Sequence, residues 1–199
     1  MMKRPFTIES LVLIASGAVL LIGGILLWQF YPRLDRLILV GVALDPSQYW
    51  AARVAWFTAL GGFAVLGPAM LAVAGWLSWR RRFGDALWLF LTIASGRLLV
   101  EGVKFLMERP RPAIIDSLEI VKTYSFPSSH SAGTMLSGMA LALLAPRQRP
   151  AMLLAAGAAM AIGWSRMALG VHWPSDVLAG LGFGLLWTGG AWLFLPSRV

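Results

Sequence analysis

The sequence contains no cysteine, which excludes disulfide bonds, thiolate metal sites and cysteine nucleophiles. Charge is scarce as well, because only 13% of the 199 residues are Asp, Glu, Lys or Arg, whereas soluble domains have about 25%. Hydrophobic residues make up 58% of the chain, and they form runs of the ~20 residues that a helix needs to cross a hydrocarbon core. The sequence therefore predicts an integral membrane protein that spans the bilayer several times.

The charge that is present is mainly positive, with a net charge of +8. A basic chain can bind nucleic acid, but here the Lys and Arg residues flank the apolar runs and form no basic helix or aromatic-basic stripe. This placement is typical of residues that set membrane topology and contact anionic lipid headgroups. We expect the lipid bilayer, and no nucleic acid, to be the partner of these residues.

Hydropathy predicts an all-α fold with six transmembrane helices in a single domain over residues 1–199, with the motif-bearing core at about 84–195. The first run follows the basic start of the chain and is too long for the apolar part of a signal peptide. Residues 33–44 alternate charged and apolar residues, which fits a short interfacial amphipathic helix as well as a loop. The six predicted spans are 8–30, 55–79, 84–107, 129–145, 151–169 and 174–195.

An even number of spans puts both termini on one side of the membrane. The two sides carry equal numbers of Lys and Arg in their loops, but those on the side of the termini are concentrated in very short links, such as 80–82 and 147–149. Positive charge in short loops marks the cytoplasmic side. We therefore expect cytoplasmic termini, and the compact chain indicates a bacterial inner membrane.

Three polar clusters interrupt the apolar pattern in the second half of the chain. The first runs from Lys104 to Arg111 at the end of span three, and the second, 127–130, opens span four. The third runs from Ser165 to Asp176, between spans five and six. The parity of the spans places all three on the membrane face opposite the termini, which predicts one site that faces the periplasm or the exterior.

The cations of these clusters, Lys104, Arg111 and Arg166, form a set suited to a phosphoryl group. A guanidinium fork matches phosphate oxygens, and an ammonium adds a compact point charge. Ser128 is predicted to be the N-cap of span four, so that the next backbone N–H groups point towards an anion. A single cation of this kind is often a side chain that snorkels to the interface, but three beside a helix N-terminus predict a phosphate pocket.

Both histidines of the chain lie in the same clusters and supply reactive groups. If span six begins near Pro174, Asp176 falls in its first turn, and its carboxylate can reach back to the imidazole of His172. A carboxylate on one ring nitrogen fixes the tautomer and leaves the other nitrogen free to attack. His130, at the start of span four, is placed to act as a general acid.

This set of residues resembles the three-part signature of the type-2 phosphatidic acid phosphatase superfamily, which reads K-x6-RP, PSGH and SR-x5-H-x3-D. The resemblance covers about spans three to six, and every spacing of the signature is kept. One position departs from it, since Ser129 stands where the family often has Gly. The matching positions are, in chain order, Lys104, Arg111, Pro112, Pro127, Ser128, His130, Ser165, Arg166, His172 and Asp176.

The resemblance implies a role for each residue. His172 would be the nucleophile that forms a phosphohistidine, Asp176 would orient it, and His130 would protonate the leaving oxygen and later activate water. The residues that would hold the phosphoryl oxygens are Lys104, Arg111, Ser128, Ser129 and Arg166.

The resemblance also implies a class of substrate. Such enzymes are metal-independent lipid phosphate phosphohydrolases without a cofactor. The candidate substrates are phosphatidylglycerophosphate, phosphatidate, undecaprenyl diphosphate and lipid A phosphate. The alternative is a non-enzymatic small membrane protein or an anion transporter with a phosphate-binding face, although transport would predict charges near the bilayer midplane.

A second polar feature lies within span three. Arg97, Glu101, Lys104 and Glu108 follow one another at helical spacing, so they share one face. Charges at membrane depth usually pair with one another or face a cavity. We expect a paired stripe that positions Lys104, in preference to a direct role with substrate.

Overall fold

The computed structural model describes residues 8–45, 47, 49–113 and 121–196. Within these ranges all regular structure is helical, which confirms the predicted all-α fold. A short 3-10 helix, Trp192–Phe194, follows the last α-helix. The α-helices are α1 (Ile8–Phe30), α2 (Pro32–Val42), α3 (Tyr49–Ala59), α4 (Phe63–Trp79), α5 (Phe83–Met107), α6 (Ser129–Leu144), α7 (Gln148–Ala168) and α8 (Pro174–Ala191).

Five stretches of the described chain are long and apolar enough to cross a membrane. They correspond to predicted spans one, two, three, five and six, and are Ile8–Phe30, Tyr49–Trp79, Phe83–Met107, Gln148–Ala168 and Pro174–Phe194. The second stretch begins at Tyr49, earlier than the predicted residue 55, and is divided into α3 and α4 by a break at 60–62.

The predicted fourth span, α6, is the exception. It has 16 residues, which at ~1.5 Å per residue gives about 24 Å, less than the ~30 Å of a hydrocarbon core. Its N-cap, Ser128, is completely buried, so the helix begins inside the protein and not at its surface. The structure therefore supports five spans by length, and the count of six stays a prediction.

The core lies where α6 packs between α7 and α8. Its side chains are mainly large and apolar, with Met135 and Leu143 of α6 against Val177 and Leu181 of α8. The first helix, α1, packs along α8, and Gly24 permits the close approach, because a Cβ there would lie 2.7 Å from the backbone carbonyl oxygen of Ser175. Such small residues let helix backbones meet in membrane proteins.

The segment 33–44, for which helix and loop were equally compatible with the sequence, is largely helical as α2. The helix starts with Pro32, whose fixed φ suits a first helical position. Its two buried residues, Asp35 and Leu39, lie one turn apart and face the protein, whereas Arg36 and Leu37 are exposed. This face brings a carboxylate of α2 to the end of the bundle at which α5 and α7 end and α6 and α8 begin.

Candidate active site

A cavity of about 190 Å³ lies at this end of the bundle. It brings together six of the residues that the sequence assigned to the site, although they come from three separate motifs of the chain. These six are Lys104, Arg111, Ser129, His130, Arg166 and His172. The remaining lining residues are Gly61, Phe63, Arg97, Glu101, Val121 and Thr123.

His172 lies in the turn between α7 and α8 and is 1% exposed. Its Nδ1 is 3.3 Å from Oδ2 of Asp176, and its Nε2 is 3.0 Å from Nη1 of Arg111. A guanidinium can only donate, so Nε2 must be the acceptor and the ring proton must be on Nδ1, where it can be donated to Asp176. The lone pair of Nε2 is thus directed at Arg111, and both residues line the cavity.

The protonation of His172 is set by its surroundings. Burial lowers the pKa of its imidazole well below the ordinary value, and the positive charges of Arg111 and Lys104 act in the same direction. A neutral imidazole is the form that can attack as a nucleophile. The surroundings therefore favour the neutral imidazole.

Asp176 lies behind the imidazole of His172, as its position in the first turn of α8 predicted. Its Oδ2 accepts from the backbone N–H of Trp173 at 2.9 Å, an arrangement that caps the helix. The hydroxyl of Ser125 also donates to Oδ2 of Asp176 and lies 3.4 Å from Nδ1 of His172. Sequence reasoning missed Ser125, whose only signal was a further hydroxyl three residues before the predicted N-cap.

Arg111 and Lys104 are held by backbone carbonyls of the segment between α5 and α6 and, for Arg111, also of the turn between α7 and α8. Arg111 donates from Nε to the carbonyl of Thr123 at 2.7 Å and from Nη1 to that of Val171 at 2.6 Å. Lys104 is 3% exposed and donates from Nζ to the carbonyl of Tyr124 at 2.8 Å. These bonds fix both cations at the cavity wall before any ligand enters, which is how preorganised electrostatic sites work.

Arg166 approaches the cavity from the end of α7 and is 1% exposed. Its Nη1 donates to the hydroxyl of Thr58 at 3.2 Å, and the hydroxyl of Ser165 donates to the same oxygen at 2.9 Å. Thr58 therefore positions two residues of the third motif from α3. No spacing rule connects it to that motif, so this role could not be predicted from the sequence.

The two serines of the second motif have different surroundings. Ser128 is the N-cap of α6, as predicted, since its Oγ accepts from the N–H and the hydroxyl of Ser131 at 3.4 and 3.1 Å. Its buried side chain lies behind the cavity wall, and its contact with a phosphoryl group stays a prediction. Ser129 lines the cavity, and its hydroxyl donates to Oε1 of Glu101 at 2.8 Å.

The predicted polar stripe of α5 is paired in its first half. Arg97 lies 3.2 Å from Glu101 and donates to the carbonyl of Ser129 at 3.0 Å. Both Arg97 and Glu101 also line the cavity, so this pair is part of the pocket wall. Glu108 is exposed and accepts from the hydroxyl of Tyr124 at 3.3 Å, and it thus lies away from the pair.

The break between α3 and α4 closes the cavity beside His130. A Cβ at Gly62 would lie 3.3 Å from Nε2 of His130 and 3.1 Å from the backbone oxygen of Ala59. The absence of a side chain at Gly62 therefore lets the backbone approach the imidazole at the start of α6. The start of α6 thus positions both Ser129 and His130 at the cavity wall.

Comparison with known proteins gives a consistent result. The family model described as PAP2 superfamily matches residues 85–199. Phosphatidylglycerophosphatase B of Bacillus subtilis is 31% identical over 139 residues, which cover 65% of this chain and 67% of that protein. A lipid A 1-phosphatase of Rhizobium johnstonii is 32% identical over 172 residues, which cover 81% of this chain and 65% of that protein.

A solved structure is similar over nearly the whole chain. It is the crystal structure of a transmembrane PAP2-type phosphatidylglycerolphosphate phosphatase from Bacillus subtilis, with a TM-score of 0.78 and 25% identity. The similarity covers 93% of this chain and 94% of that one, so it includes the helices before residue 85. Motif spacing, cavity geometry and these similarities agree, and the chain belongs to the PAP2 superfamily.

Proposed function

We propose that the protein is a membrane-embedded phosphohydrolase that removes a phosphoryl group from a phosphorylated lipid through a phosphohistidine at His172. The observation that carries the proposal is the unprotonated Nε2 of His172, which lies 3.0 Å from Nη1 of Arg111 in a cavity that Lys104 and Arg166 also line. A nucleophile directed into a cationic cavity suits attack on phosphorus, because the cations stabilise the charge on the phosphoryl oxygens.

The first step transfers the phosphoryl group to the protein. Nε2 of His172 forms a bond to phosphorus while the bond from phosphorus to the lipid oxygen breaks. Asp176 accepts the hydrogen bond from Nδ1 and stabilises the positive charge that develops on the ring. His130, on the cavity wall, donates a proton to the departing lipid oxygen.

The second step regenerates the nucleophile. Having lost its proton, His130 takes one from a water molecule, whose oxygen then attacks phosphorus. The bond between phosphorus and Nε2 of His172 breaks and inorganic phosphate leaves. Throughout, Lys104, Arg111 and Arg166 contact the three non-bridging oxygens, and backbone N–H groups at the start of α6 assist them.

The size of the cavity and the activities of the relatives support a lipid as the proposed substrate. A cavity of about 190 Å³ is smaller than the ~300–1,000 Å³ of pockets that enclose drug-sized ligands. It suits a phosphoryl headgroup whose tail stays in the bilayer. The relatives named above act on phosphatidylglycerophosphate and lipid A, and phosphatidate and undecaprenyl diphosphate remain candidates of the same chemistry.

The proposal includes the setting of the enzyme. Residues 1–199 would act as one domain in a bacterial inner membrane, with the site open to the periplasm and the termini in the cytoplasm. Three fixed cations supply the charge stabilisation that a metal ion supplies in other phosphatases, so we expect activity without a metal.

The test is release of phosphate by detergent-purified protein from a panel of the four lipid phosphates. Activity should persist in EDTA, should be inhibited by vanadate and should be absent from the His172→Ala variant. Loss of activity in EDTA that a divalent ion restores would overturn the metal-free site. Absence of phosphate release from every lipid, with intact phosphate binding, would favour the anion transporter or the non-enzymatic protein.

A further inference from the structure

Arg109 is a buried arginine within the first motif segment for which the signature gives no role. It is 6% exposed, and it lies outside the set of described residues that line the cavity. Its guanidinium forks between two carboxylates, with Nη1 at 2.5 Å from Oδ1 of Asp176 and Nη2 at 2.8 Å from Oδ2 of Asp35. The rings of Trp28 and Trp173 lie 4.7 and 5.3 Å from it.

Asp35 extends this arrangement to α2. It is 1% exposed, and its Oδ1 accepts from the backbone N–H of Ser175 at 2.9 Å. The hydroxyl of Ser175 donates to its Oδ2 at 2.5 Å. Since Ser175 is in the first turn of α8, Asp35 satisfies an N-terminal N–H group of the helix that carries Asp176, and its charge complements the helix dipole.

The two oxygens of Asp176 consequently have separate partners. Oδ1 is held by Arg109, whereas Oδ2 faces Nδ1 of His172 and accepts from Trp173 and Ser125. A carboxylate buried without a cation would favour its neutral form, which cannot stabilise an imidazolium. The carboxylates of Asp35 and Asp176 and the guanidinium of Arg109 together carry a net negative charge. This charge lies on the Nδ1 side of the His172 ring, which becomes positive in the reaction.

We propose that Asp35 and Arg109 are positioning residues: Arg109 favours the ionised form of Asp176 and keeps its Oδ2 directed at His172, and Asp35 holds Arg109 and the first turn of α8 in place. The inference rests on the proposed function, because it assumes that His172 is the nucleophile. It adds α2, a helix outside the region that the family model matches, to the machinery of the reaction. Arg109 thereby differs from Arg111, two residues later, which faces the cavity.

The proposal makes a distinct kinetic expectation. Neither residue lines the cavity, so substitution should leave KM and the inhibition constant for inorganic phosphate within about two-fold, whereas the chemical step should slow. For Arg109→Gln we expect a fall of about ten- to a hundred-fold, below the roughly 10⁴-fold loss that removal of the orienting carboxylate itself can cause. Arg109→Lys, which keeps the charge but not the fork, should recover part of the rate. The rate of the Asp35→Asn variant should lie between those of Arg109→Gln and Arg109→Lys.

The experiment is a single-turnover measurement with purified protein in excess over a radiolabelled lipid phosphate. Under this condition the rate constant comes from folded sites, and a misfolded fraction does not change it. Exposed residues of the same region provide matched controls, Arg36→Lys on α2 and Asp45→Asn after it, and both should match the wild type. A slower single-turnover rate in Arg109→Gln, partly restored in Arg109→Lys, supports the proposal.

Two results would overturn it. If the single-turnover rate constants equal that of the wild type while the thermal midpoint falls, the pair is structural only. If the inhibition constant for inorganic phosphate rises in proportion to the loss of rate, Arg109 is a phosphate ligand. A wild-type protein that releases no phosphate would instead refute the proposed function, and this outcome is visible before any variant is measured.

Discussion

Replacing Arg111 with lysine tests whether the charge alone or the shape of the guanidinium makes the cavity work. Arg111 bonds through Nε and Nη1 to the carbonyls of Thr123 and Val171, and Nη1 also meets Nε2 of His172. Lysine keeps the charge but offers one ammonium in place of the fork. It cannot hold both carbonyls and contact a phosphoryl oxygen at the same time.

The magnitude follows from the bonds that differ between ground state and transition state. The carbonyl bonds exist before substrate enters, so their loss misplaces the charge, whereas the bond to a phosphoryl oxygen strengthens as charge develops. One charge-assisted hydrogen bond contributes about 1.5–3 kcal/mol. Its loss corresponds to a fall of roughly ten- to a hundred-fold in kcat/KM.

The assay is phosphate release from one lipid phosphate in EDTA, with kcat and KM measured separately. Arg147→Lys is a matched control, because Arg147 is exposed in the link between α6 and α7. The control should keep the wild-type rate. Wild-type kcat/KM in Arg111→Lys would refute the reasoning, since it would mean that a point charge at this position is sufficient.

Three further predictions concern the nucleophile and the sidedness of the site. His172→Ala should abolish phosphate release in a protein that stays monodisperse in detergent, whereas Asp176→Asn should retain part of the rate; turnover by His172→Ala would exclude the covalent route. Because burial lowers the pKa of His172, the nucleophile stays neutral at acidic pH, and the acidic limb of kcat/KM should lie below the ~6.5 of an ordinary histidine. A half-maximal loss at or above that pH in the measured profile would contradict this. A cysteine at the exposed Lys122 should react with an impermeant thiol reagent outside intact cells and one at Arg147 should not, and the reverse pattern would turn the site towards the cytoplasm. Ser117, a further candidate for this labelling in the same loop, lies outside the described residues.

The residues that line the cavity were predictable because helix geometry converts their spacing into position. Lys104 lies in the last turn of α5, His130 in the first turn of α6 and His172 just before α8, so helices that alternate in direction bring them to one end of the bundle. The contact between His172 and Asp176 was predictable for a similar reason, since Pro174 fixes the start of α8 and four residues make one turn.

The residues behind the cavity wall were not predictable in this way. Thr58 and Asp35 come from α3 and α2, and no periodicity relates them to the motifs that they contact. Their roles depend on tertiary packing, which a hydropathy profile does not contain. For a related reason, hydropathy cannot distinguish a helix that begins at the membrane surface from one that begins inside the protein, as α6 does.

The packing of α1 along α8 determines when the site can form during synthesis. Gly24 meets Ser175, about 150 residues later, and a ribosome that adds about 5–20 residues per second needs roughly 8–30 s to cover that distance. Throughout this interval the first helix is in the membrane without the neighbour that buries its glycine face. The carboxylate of Asp35 likewise lacks its two partners, Arg109 and Ser175, until those residues have been synthesised. The contacts that α1 and α2 make with the first turn of α8 can therefore form only after α8 has been synthesised.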